Sequence, residues 1–398
     1  MKKKNRIVLC GIMTLIMAFV MAMPVSVSAT EDGKVAKIGE IEYATLKDAV
    51  DNVGENQTIV VLRDSIGDGI VVPSGKNFTI DFNGHRYTVN QNLVGSTGTE
   101  NNGFQLLKDS TITMKNGIIN SDYALILIQN YSNLTLENMD LSSTKADYVL
   151  SNNNGNVNII GDTSITAKDG AVAFDVCYYA NYPSVRVNVN TEGVITGNIE
   201  LSKSANRADE AQNCSLNISN ITLNGKIMPD GDVNIPTTVT GGEFSNELSK
   251  DYLTNADVTA TYVKDGTTVY LVGKTTIEEK MNSVTEGTFT ITKAPEDFTI
   301  AAPKDGVTLV NESGLDIVVG SGAESVVVGN GKEYQKPETP SQPTTKPGDE
   351  QGTTGTEASG NSAKTGDDFN MAAVIAIMGI AAVAAAGTIV YGRRKRSN

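Results

Sequence analysis

Few residues of this chain are spaced for catalysis. His85 is the one histidine, so it is the only imidazole available as a general base. It follows Phe82-Asn83-Gly84, a turn sequence, which makes a hydrogen-bonded turn residue its expected role. Asp81, Asp109, Asp122, Asp140, Asp162 and Asp169 fall at the ends of alternating segments, where aspartate caps backbone N–H groups. They share no common register, so neither a calcium set nor a paired acid and base for glycoside hydrolysis is expected from them. Asp64…Asp68-Gly69 and Asp230-Gly231-Asp232 lack the further ligands and distal Glu of a calcium loop. Cys177 and Cys214 lie a little over one repeat apart. A stacked disulfide would join them; two free thiols, at least partly buried, are the expected state. Without CxxC or Cys/His spacing, and without a nucleophile elbow or phosphate loop, no catalytic residue, metal or cofactor is expected.

Binding chemistry is better represented. Three inserts are long enough to form loops, at 90–103, 178–183 and 203–213. The second gathers Tyr178, Tyr179 and Tyr182 around Asn181. Aromatic area beside amide donors suits a sugar face or a protein hot spot, and these residues are the candidate ligand site. The plainer alternative is that the rings only pack over the base of their own loop.

These groups are positioned by one recurring phrase, alternating apolar residues that run into an Asn, Gly or Asp turn. It reads Thr79-Ile80-Asp81-Phe82-Asn83-Gly84, then Thr111-Ile112-Thr113-Met114-Lys115-Asn116-Gly117, then Leu134-Thr135-Leu136-Glu137-Asn138. Val157-Asn158-Ile159, Val187-Asn188-Val189 and Leu216-Asn217-Ile218 continue it. Aligning Ile80, Ile112, Leu134, Val157, Val187 and Leu216 gives steps of 32, 22, 23, 30 and 29 residues. Alternation of period two means a strand with one buried face, and the uneven long period means one coil per repeat with loops of varying length. Such coils must stack to bury their apolar sides, with like residues above like. Asn83, Asn116 and Asn138 at the turns suggest stacked amide ladders. The reading is an all-β, right-handed parallel β-helix.

The ends of the chain are different in kind. Residues 1–29 form a signal peptide, with Lys2, Lys3, Lys4 and Arg6 ahead of an apolar core and a cleavage site between Ala29 and Thr30. Residues 30–57 read as a hairpin around Gly39-Glu40 and one helix. Thr45 caps that helix, Asp48 completes a capping box, and Leu46, Ala49, Val50 and Val53 form its apolar stripe. The helix is expected to cover the open end of the coils at 58–275. Residues 276–335 read as a shorter β module, or as a C-terminal extension of the stack, opened by a second capping box, Thr276-Ile277-Glu278-Glu279. The linker at 336–361 is rich in Pro, Thr and Gly, too polar to fold. Residues 362–398 hold an apolar run at 371–391, long enough to span a bilayer, and a basic tail. Net charge is −14, and it becomes −20 once the leader and the residues after Thr365 are set aside. That acidity argues against nucleic acid or an anionic membrane as partner.

Two stretches resemble known families. Ser362-Ala363-Lys364-Thr365-Gly366, followed by acid, apolar span and basic tail, resembles a Gram-positive sortase signal of the Leu-Pro-x-Thr-Gly type. Ser362 and Ala363 replace the Leu and Pro of that pattern. The resemblance implies cleavage between Thr365 and Gly366 by a sortase and attachment of Thr365 to peptidoglycan; otherwise the span remains as a single-pass anchor. Ile80-Asp81-Phe82-Asn83-Gly84-His85-Arg86-Tyr87 and Gly241-Gly242-Glu243-Phe244-Ser245 resemble pectate-lyase-like β-helix surface proteins of Firmicutes. That resemblance implies the fold and an adhesin-like setting, while activity does not follow from fold. The expectation is a secreted, wall-anchored adhesin that recognises a host or neighbouring-cell protein or glycan, mucin and immunoglobulin included. The alternatives are a surface polysaccharide-active enzyme and a structural spacer with no dedicated ligand. Carboxylates converging on adjacent coils would favour the enzyme.

Overall fold

The computed structural model describes residues 33–205, 207 and 213–338. Within them the chain is all-β, with long parallel ladders and two α-helices. The signal peptide with Ala29 and Thr30, most of the linker, Thr365, Gly366 and the span at 371–391 lie outside the described residues.

The recurring phrase makes the larger sheet, because each alternation turns its aliphatic side chains to one face. Thr111–Ser121 pairs in parallel with Asn133–Ser143. That strand pairs with Gly155–Gly161 and Ser164–Thr166, both of which pair with Val185–Thr196. Ser215–Asn224 follows. Ile112, Leu134, Val157, Val187 and Leu216 stand opposite one another and are all buried, so the last four expected steps hold.

The first step needs correction. Ile112 faces Phe78, while Ile80 faces Met114. Phe82-Asn83-Gly84-His85 spans the turn that Asn116-Gly117 crosses with two fewer residues, between Asp81↔Lys115 and Arg86↔Ile118. A slip of two keeps every side chain on its own face, so alternation alone could not detect it.

Asn116 and Asn138 take left-handed backbone at the bend, with φ of 57° and 54°, and Gly161 follows them with φ 65°. Short polar side chains tolerate this region because they hydrogen-bond locally. Asn138 Nδ2 donates to Asn116 Oδ1 at 3.2 Å, and Asn116 Nδ2 to Asp81 Oδ1 at 3.2 Å. The expected ladder is present at Asn116 and Asn138, with Asp81 in the place expected for Asn83.

A second parallel sheet carries Ile70–Val72, Thr99–Leu106, Ile126–Asn130, Tyr148–Asn152, Val172–Tyr178, Asn198–Lys203 and Ile227–Pro229 in spatial order. Its file of Ile70, Phe104, Ile128, Leu150, Phe174 and Ile199 belongs to the same buried cluster as the files of the larger sheet. The insert at 90–103 is itself paired, Val94–Ser96 against Thr99–Leu106.

The start of the stack is closed as expected. Ala36–Ile38 pairs antiparallel with Ile41–Tyr43 and with Gln57–Val61, so it covers the edge that the first parallel strand would otherwise expose. Helix Leu46–Asn52 is capped by Thr45, whose Oγ1 accepts from Asp48 N at 3.0 Å, and buries Leu46, Ala49 and Val50.

At the other end the parallel ladder stops at Gly242–Phe244, which pairs antiparallel with Thr267–Val272. The expected hairpin, Thr259–Lys264 with Thr267–Val272, turns through Asp265 and Gly266, both at positive φ. It belongs to a second buried cluster with Phe289, Ile291 and Leu309. Helix Lys274–Ser283 starts three residues earlier than a Thr276 N-cap predicts, with Gly273 at its N-cap and no side-chain cap. The Thr276 capping box is therefore corrected: Thr276 Oγ1 accepts instead from Gly242 N, at 3.3 Å.

Candidate functional site

The strand Val172–Tyr178 is buried along its whole length and runs straight into the tyrosine insert. The chain then reverses at Ala180, which takes left-handed φ of 44°. Ala180 N donates to Ser204 Oγ at 2.7 Å, and Tyr182 N to Tyr179 O at 3.0 Å. Arg207 clamps the loop. Its guanidinium carbon lies 3.6 Å from the Tyr178 ring centroid, and Nη1 donates to Ala180 O at 2.6 Å and Tyr182 O at 3.3 Å. A guanidinium held over a ring while its donors satisfy turn carbonyls loses little freedom per bond.

Tyr178 is only 3% exposed and lies beneath Arg207, so it is removed from the candidate ligand site and assigned to the loop's base. Tyr179 and Asn181 are exposed and Tyr182 is half-buried. A ring absent from the sequence reading joins them. Tyr131 lies 5.0 Å from Tyr182 and 6.0 Å from Tyr179 between centroids, and Tyr179 lies 6.3 Å from Tyr182. These are favourable aromatic separations. Burial, then the neighbouring Tyr179 and Tyr182, raises the Tyr131 hydroxyl above its usual range, so the ring stays neutral. The signal for Tyr131 was rung arithmetic: Asn130 faces Asn152, which puts Tyr131 two strands before the Cys177–Tyr178 end of Val172–Tyr178.

A polar network lies on the same sheet. Asp175 stands opposite Glu200 on the neighbouring strand. Asp175 is 4% exposed and accepts from Asn152 N and from Ser151 Oγ, the latter at 3.1 Å. Burial pushes its carboxyl up to about 8, although both donors pull the other way, and Glu200 adds to the rise. Glu200 is half-buried and accepts from the Tyr148 hydroxyl at 3.0 Å. Burial also pushes the Cys177 thiol up to about 12, which keeps it protonated and inert; Cys177 and Cys214 are both free and buried.

Of the six aspartates named from sequence, Asp81 accepts from Asn83 N in its turn and Asp122 accepts from Thr144 Oγ1 at 2.6 Å, whereas Asp140 lies within the strand Asn133–Ser143 and not at its end. Asp68 takes the amides of Asn90 and Asn92, at 3.0 and 2.9 Å, which lower its pKa and tie down the paired insert. His85 Nδ1 sits 3.4 Å from Asp64 Oδ1 in a turn of the larger sheet. Among the described residues no group of three His, Cys, Asp or Glu is arranged to hold a metal. Among the described residues, Asp175 with Glu200 is the one carboxylate pair in register on adjacent strands, and it was hidden in a segment that reads as uninterrupted core.

No protein family, curated protein or solved structure matches the chain.

Proposed function

We propose that this chain is a right-handed parallel β-helix displayed on a cell surface as an adhesin or binding protein. Its ligand patch is Tyr179, Asn181 and Tyr182, backed by the buried Tyr131 ring, and it recognises an extracellular protein or glycan. The helical reading rests on two parallel sheets sharing one core, and on the right-handed preference of parallel crossovers. Display rests on the flanking sequence, with the signal peptide at one end and the sortase-like signal at Thr365-Gly366 at the other. The observation that carries the binding reading is Tyr179 and Tyr182, 6.3 Å apart on a loop clamped by Arg207 and both packed against the Tyr131 ring of a neighbouring turn. A preformed aromatic surface with an amide beside it binds without ordering the loop first.

The polysaccharide-active alternative is favoured by Asp175 and Glu200 on adjacent strands. Against it, both Asp175 oxygens already accept protein donors and the residue is 4% exposed. The full chain should bind one of mucin, immunoglobulin or an arrayed glycan saturably. Tyr179→Ala with Tyr182→Ala should weaken that binding at least about tenfold, as hot-spot aromatics do. Binding that survives the double change would remove the patch from the reading. Cleavage of a polysaccharide lost in Asp175→Asn would move the protein to the enzymes.

A further inference from the structure

A trough runs over the outer face of the larger sheet and ends against the second helix. Its deeper part encloses about 540 Å³ between Asn220 and Thr240 on the ladder and Asp257 and Thr275 beyond it. A shallower arm of about 180 Å³ continues over Asn188, Asn190 and Asn217. The two share Ser219 and Thr240 in their walls, so they adjoin along the ladder. The deeper part alone falls within the roughly 300–1,000 Å³ typical of small-molecule sites.

Its floor is an amide ladder. Asn188 Nδ2 donates to Asn158 Oδ1 at 3.2 Å, and Asn217 Nδ2 to Asn188 Oδ1 at 3.1 Å. Each link uses one N–H and one lone pair, which leaves a second N–H on Asn188 and the carbonyl of Asn217 for a ligand. Both residues are exposed. Rungs of a sheet repeat about every 4.8 Å, close to the length of one pyranose unit. At the deep end, the exposed Pro295, backed by the largely buried Phe298, supplies an apolar wall suited to the C–H face of a sugar ring. Lys274 and Thr275 open a helix that has no side-chain cap, so their N–H groups are further donors.

Charge narrows the ligand. Glu192, Asp257 and Glu279 border the deep part, and the Lys274 ammonium lies 3.8 Å from the Glu278 carboxylate. An acidic ligand would be repelled, whereas hydroxyls can donate to these carboxylates and accept from the amides.

The geometry points to a second binding site, in which this trough takes a neutral saccharide chain laid along the ladder. The site lies on the larger sheet, and the tyrosine patch rises from the other one, so the two are separable by mutation. The test is calorimetric titration of the detergent-purified full chain. Neutral gluco-, manno- and xylo-oligosaccharides are compared with an oligogalacturonate and an oligoglucosamine. A neutral probe should bind saturably, lose at least tenfold in affinity in Asn190→Trp, and keep its affinity in Tyr179→Ala/Tyr182→Ala. Thr240→Phe, at the junction of the two arms, takes the place of Asn190→Trp if that variant does not fold. Failure of every neutral probe overturns the proposal. So does an oligogalacturonate or oligoglucosamine that binds as well as the best neutral probe, or affinity unchanged by filling the trough.

Discussion

Asp175 holds its proton because the sheet surrounds it, and that has a consequence for stability. Its folded pKa of about 8 lies above its ordinary 3.8, so between those values the folded protein keeps a proton that the unfolded chain has released. Stability therefore falls as pH rises through this window, by on the order of 1 kcal/mol per pH unit, and levels off above about 8. Asp68 and Asp305 have lowered pKa values, so their opposite contributions are lost only at pH below the ordinary carboxylate range. Urea unfolding at pH 5 and pH 8 should show the wild type losing stability relative to Asp175→Asn at the higher pH. A difference that stays constant with pH would mean that burial does not control this proton. The sequence could not reveal this residue. Ala173, Asp175 and Cys177 alternate with Phe174 and Val176 in a strand where both faces are covered, so the pattern carries no contrast. Tyr179, Asn181 and Tyr182 were legible as composition, whereas Arg207 and Tyr131 reach the patch only through contacts distant in sequence.

The two helices show what local signals can and cannot decide. Thr45 was read correctly as the N-cap because the cap acts within one turn, and Leu46, Ala49 and Val50 face the core at the spacing the stripe requires. Thr276 carries the same local signal, yet its hydroxyl accepts from Gly242, on the strand where the long parallel ladder stops, and the helix starts at Lys274 with Gly273 as its N-cap. Tertiary competition for a single hydroxyl shifted the boundary. Thr45→Ala should cost about 1 kcal/mol, the usual value of an N-cap, measured as a lower urea midpoint with an unchanged slope. A change within error would mean that Leu46, Ala49 and Val50 alone hold the helix on the stack. The strands were legible for a related reason: burial alternates along Val185–Thr196 and Asn133–Ser143, so each strand announces its own face. Register between distant strands was less secure, as the shift between Ile80 and Phe78 demonstrates, because it depends on turn length.

Across the whole described region, stability should be distributed as it is in a stack, where each layer depends mainly on its neighbours. One buried cluster runs from the capping helix to Val272, and a second begins at Val258 and includes Leu309. They meet at the hairpin Thr259–Lys264 and Thr267–Val272, which pairs with Gly242–Phe244 on one side and with Gly287–Lys293 on the other. Leu309→Ala empties a site that is 1% exposed, and such a change costs about 2–5 kcal/mol. If coupling passes from layer to layer, faster amide exchange should spread from Val307–Asn311 through Gly287–Lys293 to the hairpin. It should fade before Thr111–Ser121, and Ala36–Ile38, at the opposite end of the ladder, should exchange as in the wild type. Hydrogen exchange read by mass spectrometry separates these segments directly. Uniform acceleration to the first strands would instead make the two clusters one cooperative unit. The hairpin would then be a rigid joint that ties the trough's far wall to the ladder beneath it.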